Sequence, residues 1–120
     1  NRLAEALDVL LRGRTAAGGD WSGLLAEIGY THARLGDGER AEAILEELRA
    51  REANEFIDPY TYAMIHVALG NYDEVFEALH AACEARSIFL PSFPVDPKFF
   101  PLRDDPRYNE ILTRLNLPAP

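Results

Sequence analysis

The sequence predicts an all-α fold of antiparallel helical hairpins, and three observations carry that expectation. Apolar residues recur at helical spacing along most of the chain, the interruptions between stripes are short and marked by glycine or proline, and the pattern repeats at an offset of 34 residues. One hundred and twenty residues, 48% of them hydrophobic and 27% charged, suffice for one domain with a modest core, here taken as residues 1–120.

Leu3, Ala6, Leu7, Leu10 and Leu11 follow the i, i+3, i+4, i+7, i+8 spacing of an amphipathic helix and predict a leading helix over 2–12. Gly18-Gly19 interrupts it. Trp21, Leu24, Leu25, Ile28, His32 and Leu35 form the next stripe, with Asp20 as the expected N-cap and Gly36 as the stop. Ala41, Ile44, Leu45 and Leu48 follow the turn Gly36-Asp37-Gly38, which is short enough to force two antiparallel neighbours. This first hairpin spans 21–53.

A second hairpin, 56–87, has the same plan. Asp58-Pro59 reads as N-cap and first helical residue, because proline lacks an N–H that would be orphaned there. Tyr62, Ile65, His66 and Leu69 make the stripe and Gly70 ends it. Asn71 and Glu74 have capping-box spacing and launch Val75, Phe76, Leu79, Ala82 and Cys83. Shifting by 34 residues lays His32-Ala33-Arg34-Leu35-Gly36-Asp37 on His66-Val67-Ala68-Leu69-Gly70-Asn71. It also lays Gly29 on Ala63, Ala41 on Val75 and Leu45 on Leu79. The agreements have physical reasons: small residues where helices approach, a glycine that accepts the left-handed conformation at a helix end, and leucines that fill the space between helices.

A helix–turn–helix of this period, with these small and glycine positions, resembles the tetratricopeptide repeat (TPR). Leu25 and Pro59 stand where that family usually has tryptophan, His32 and His66 where it has an aromatic, and Ala53 and Ser87 where it closes on proline. The resemblance implies a short right-handed solenoid. Its concave surface would be lined by Ala26, Glu27, Tyr30 and Arg34 from one helix and by Tyr60, Thr61, Met64 and Ala68 from the other. The expected partner-binding residues are Glu27, Tyr30, Arg34, Tyr60, Thr61 and Met64, since tyrosine, arginine and methionine are side chains that anchor and adapt to peptides.

Residues 88–103 hold four prolines and four phenylalanines, so no long helix fits there. Asp105-Pro106 starts a last helix bearing Tyr108, Ile111, Leu112 and Leu115, and Asn116-Leu117-Pro118 stops it. The expectation for 88–117 is an irregular Pro/Phe-rich cap on the hairpins, because Phe89, Leu90, Phe93, Phe99, Phe100 and Leu102 are too apolar for a solvated linker. The stretch from Val95-Asp96-Pro97 to Leu117-Pro118 is similar to the C-terminal end of bacterial multidomain regulators: winged-helix activators, serine/threonine kinases and nucleotide cyclases. That resemblance implies a regulatory or assembly module attached to an output domain. The opening Asn1-Arg2-Leu3-Ala4, without an initiator Met or an export pattern, suggests a piece of a longer chain or a tag remnant.

Charge and chemistry narrow the function classes. The formal net charge is −8, and residues 37–58 alone hold eight acids against three bases. An acidic middle repels phosphate and argues against direct nucleic-acid contact; it is read as a solvated face, with a docking surface for a basic partner left open. No apolar run is long enough to span a membrane, and a single cysteine fits a cytoplasmic setting. Neither a phosphate-binding glycine loop nor a nucleophile elbow is present. His32 and His66 occupy equivalent positions and are read as core histidines. His80 and Cys83, one turn apart, supply two ligands where a structural zinc site needs four. The expectation is therefore a non-catalytic protein-interaction module with no cofactor and no metal, binding a protein or peptide, with self-association open. The alternative is a small-ligand sensor with a pocket lined by Tyr60, Phe93 and Phe99.

Overall fold

A computed structural model describes residues 2–16 and 21–115, with the backbone alone described for 14–16. Every regular element among them is helical. Six α-helices run α1 (Arg2–Ala16), α2 (Ser22–Arg34), α3 (Gly38–Arg51), α4 (Pro59–Leu69), α5 (Tyr72–Glu84) and α6 (Pro106–Arg114), with 3-10 segments at Leu90–Val95 and Pro97–Leu102 between the last two. No described helix is long and apolar enough to cross a membrane. The chain divides into two compact units, Asn1–Ile57 and Asp58–Pro120.

In the first unit α2 packs against both α1 and α3. Helix α1 runs through Gly13 to Ala16, beyond the predicted end at 12. Its stripe residues Leu3, Leu7 and Leu10 are half-buried, and Leu11 is exposed. Trp21 occupies the N-cap position of α2 with extended backbone, makes no capping hydrogen bond and is 66% exposed, so it does not belong to the buried stripe. The expected cap Asp20 and the break Gly18-Gly19 lie outside the described residues. Leu25, Ile28 and His32 are buried on α2, and Ala41, Ile44, Leu45 and Leu48 on α3, as helical spacing predicts.

In the second unit α4 packs against α5 and against the second 3-10 segment, while α6 packs against α5. The Asp58 carboxylate accepts the Tyr60 N–H at 3.0 Å and caps α4. Asp96 does the same for Lys98 at 3.0 Å and Asp105 for Arg107 at 2.9 Å, each ahead of a proline at the first helical position. Asn71 departs from the expected capping box. It makes no side-chain cap bond, and its amide nitrogen lies 3.3 Å from His66 Nδ1, where it donates to a buried imidazole instead. The prolines of 88–103 do prevent a long helix, and the tighter 3-10 turns accommodate them.

Three helix ends share one hydrogen-bond pattern. Asp37 N–H donates to His32 C=O at 2.9 Å and Gly36 N–H to Ala33 C=O at 3.1 Å; Asn71 and Gly70 repeat this on His66 and Val67 at 3.0 and 3.2 Å. Gly36 and Gly70 take φ of 84° and 80°, the left-handed conformation that the reversal requires. The end of α5 follows suit, with Ser87 N–H on Ala82 C=O at 3.0 Å and Arg86 N–H on Cys83 C=O at 3.2 Å. There the left-handed residue is Arg86, with φ 54°.

Candidate functional site

On α2, Glu27, Tyr30 and Arg34 fall at i, i+3 and i+7 and therefore share one face. Tyr30 is half-buried and Arg34 exposed, with the guanidinium carbon 5.8 Å from the tyrosine ring centroid, in cation–π range. Glu27 borders an open trough of about 610 Å³ between α1 and α2, whose α1 wall carries Arg2 and Glu5 followed by Ala6, Val9 and Leu10. Thr31, also in the trough wall, spends its hydroxyl on the Glu27 carbonyl at 2.8 Å. The trough lining is largely apolar.

The α4 residues have a different setting. Tyr60 is 3% exposed. Its ring meets Phe99 edge-on at 5.4 Å and Phe89 at 5.7 Å between centroids, and its hydroxyl donates to Asp96 Oδ2 at 2.8 Å. Burial, then the bond to the Asp96 carboxylate, pushes the phenol well above its ordinary range. The expected groove residue Tyr60 is thus corrected to an internal one, held under the segments that follow α5. Thr61 is buried as well, and Met64 is half-buried. Sequence periodicity could not foresee this, because the covering rings come from positions remote along the chain. The one available signal was the density of phenylalanine in 88–103, which demanded a surface to cover.

The pocket imagined between Tyr60, Phe93 and Phe99 is filled by those rings. Phe93 and Phe99 stand 5.2 Å apart, and Phe93 continues the cluster to Tyr108 at 4.8 Å. All of these but Phe89, which is half exposed, are buried.

The titratable side chains that could carry chemistry have structural environments. His32 is buried with Nδ1 4.0 Å from Asp37; desolvation holds its pKa below the usual 6.5, against the pull of the Asp37 carboxylate. His80 Nδ1 lies 2.9 Å from the Arg114 guanidinium, which can only donate, so that ring nitrogen is an acceptor. Burial raises the Cys83 thiol and keeps it protonated and weakly nucleophilic. Among the described residues no three His, Cys, Asp or Glu side chains are grouped to hold a metal ion. The chain matches no protein-family model, no curated protein and no solved structure.

Proposed function

We propose that the chain is a non-catalytic protein-interaction module of the tetratricopeptide type, a short solenoid capped by its Pro/Phe-rich tail, which serves as the regulatory or assembly part of a bacterial regulator. The observation that carries the binding role is the α2 face: a half-buried tyrosine with an arginine over its ring, beside an open trough with a largely apolar lining. Such a surface suits an extended or helical peptide that lays apolar side chains into the trough and polar groups along its rim. The repeat assignment draws support from the two hairpin turns, which close alike at a separation of 34 residues. The binding residues in this reading are Glu27, Tyr30 and Arg34; Tyr60 and Thr61 serve the interior.

The test is a titration of peptides selected by display against the chain. Tyr30→Ala should weaken them by roughly thirtyfold, the effect of losing an anchor worth about 2 kcal/mol, with the thermal melt unchanged. Glu42→Lys with Glu46→Lys, on the exposed side of α3, should alter only the salt dependence. Binding that survives Tyr30→Ala and disappears with the charge reversals would move the site to the acidic face and sink the proposal.

A further inference from the structure

We infer that a cavity in the second unit, at the end of α5, binds a small organic carboxylate with a short apolar tail. The cavity measures about 400 Å³, within the range of small-molecule sites. Helix α5 and its exit supply Cys83 and Arg86, the first 3-10 segment Leu90 and Pro91, and the end of α6 Arg114 and Leu115. Two arginines and no acidic residue line it, on a chain whose net charge is −8. The remaining lining is aliphatic or thiol, apart from Ser87. That hydroxyl is already committed: it donates to Asp58 Oδ2 at 2.7 Å and accepts the Phe89 N–H at 3.2 Å.

The two arginines have unequal duties. Arg114 is oriented by Glu84 Oε1 at 2.5 Å and by His80, so its charge is largely balanced. Arg86 has no carboxylate partner among the described residues. It also holds the left-handed position that Gly36 and Gly70 fill at the other two turns of the same pattern, with φ 54°. Glycine would take that conformation without strain, so an arginine there carries a conformational cost. Arginine side chains and aliphatic residues in one lining match a carboxylate head on an apolar tail. Both a free fatty acid and the C-terminal residue of a peptide have that chemistry.

The experiment titrates the isotope-labelled full chain by NMR with hexanoate and with N-acetylleucine, using hexanol as the uncharged control. Saturable shifts confined to amides of 83–91 and 112–115 are expected with the acids and not with the alcohol. The tighter acid then identifies the source, free fatty acid or peptide terminus. Arg86→Gly should raise the Tm by relieving the backbone while weakening the acid at least about tenfold, the worth of a charge-assisted hydrogen bond. Arg86→Lys should keep part of the affinity. Equal shifts with hexanol, unchanged affinity in Arg86→Gly, or no saturable response to either acid would each overturn the assignment.

Discussion

Hairpin α2–α3 and hairpin α4–α5 turn on the same hydrogen bonds, at Gly36 and at Gly70, yet corresponding faces of their first helices are covered unequally. Ala26 and Tyr60 are both buried, but Glu27 is half-buried where Thr61 is buried, and Arg34 is exposed where Ala68 is half-buried. Around Tyr30 and Arg34 the α2 face meets solvent; the α4 face that begins at Tyr60 lies beneath Phe89 and Phe99. A turn is a local matter of which residue tolerates positive φ, so the same glycine gives the same turn twice. What becomes of a helix face depends on chain that arrives from elsewhere. The tail makes an interior of a surface that repeat logic alone would leave open.

The sharpest way to break this comparison is to remove the tail. Truncation after Ser87 strips Phe93, Phe99, Leu102 and Tyr108 from the second unit, all fully buried, each worth roughly 1.5–3 kcal/mol on burial. The second unit should lose its cooperative melt, followed by near-ultraviolet circular dichroism; an unchanged cooperative transition would show that α4 and α5 do not need their cover.

Next in size is Tyr60. Tyr60→Ala should cost about 3–5 kcal/mol, as for deletion of a buried aromatic, whereas Tyr60→Phe should cost roughly 0.5–1.5 kcal/mol by removing only the hydrogen bond to Asp96. Denaturant melts of the two variants separate packing from the hydroxyl. A Tyr60→Ala variant as stable as the parent would return this residue to the surface.

Smaller, and equal in both hairpins, is the effect of filling the turns. An added Cβ at Gly36 or Gly70 meets nothing within 4 Å, so only the backbone conformation resists it. Gly36→Ala and Gly70→Ala should each cost about 1–2 kcal/mol. Markedly unequal costs would show that the two turns are less alike than their hydrogen bonds suggest.

The mildest contrast is one of pH. His32 in the first unit has a folded pKa below 6.5, so the unfolded chain binds the extra proton; its stabilising contribution is complete above 6.5 and is lost as pH falls below that value. Tyr60 and Tyr108 in the second unit are raised above 10, chiefly by burial, so their contribution is complete below 10 and is lost as pH climbs past it. Melts read by NMR amides from each unit should show the first weakening from pH 6.5 downward and the second in alkali. His32→Gln should flatten the acid limb, and an unaltered limb would remove His32 as its cause.

Much of the local structure was legible in the sequence. Asp58-Pro59 and Asp105-Pro106 cap helices as their chemistry requires, and Gly36 and Gly70 end them. The departures have separate physical causes. Trp21 was assigned to a stripe because it fits the period, but a residue at the N-cap lies outside helical register. Asn71 had a capping-box sequence, yet the imidazole of His66 lies within reach of its amide. Tyr60 falls on the open face that the repeat resemblance implies, and helical spacing gives no sign of a cover. Its cover arrives with Phe89, Asp96 and Phe99, and a period of 3.6 residues says nothing about partners that far along the chain. Of the candidate site, helical spacing gave the shared face of Glu27, Tyr30 and Arg34 on α2.

The exposed position of Trp21 has a spectroscopic consequence. It is the chain's one indole, it stands at the start of α2, and water already reaches it in the native state. Its emission therefore begins close to that of an unfolded chain, and it reports on the first unit alone. Four of the five tyrosines, Tyr60, Tyr62, Tyr72 and Tyr108, belong to the second unit, and two of them sit in its ring cluster. Exciting the indole would leave that unit's unfolding nearly dark, whereas the dichroism of the tyrosine band would follow it directly.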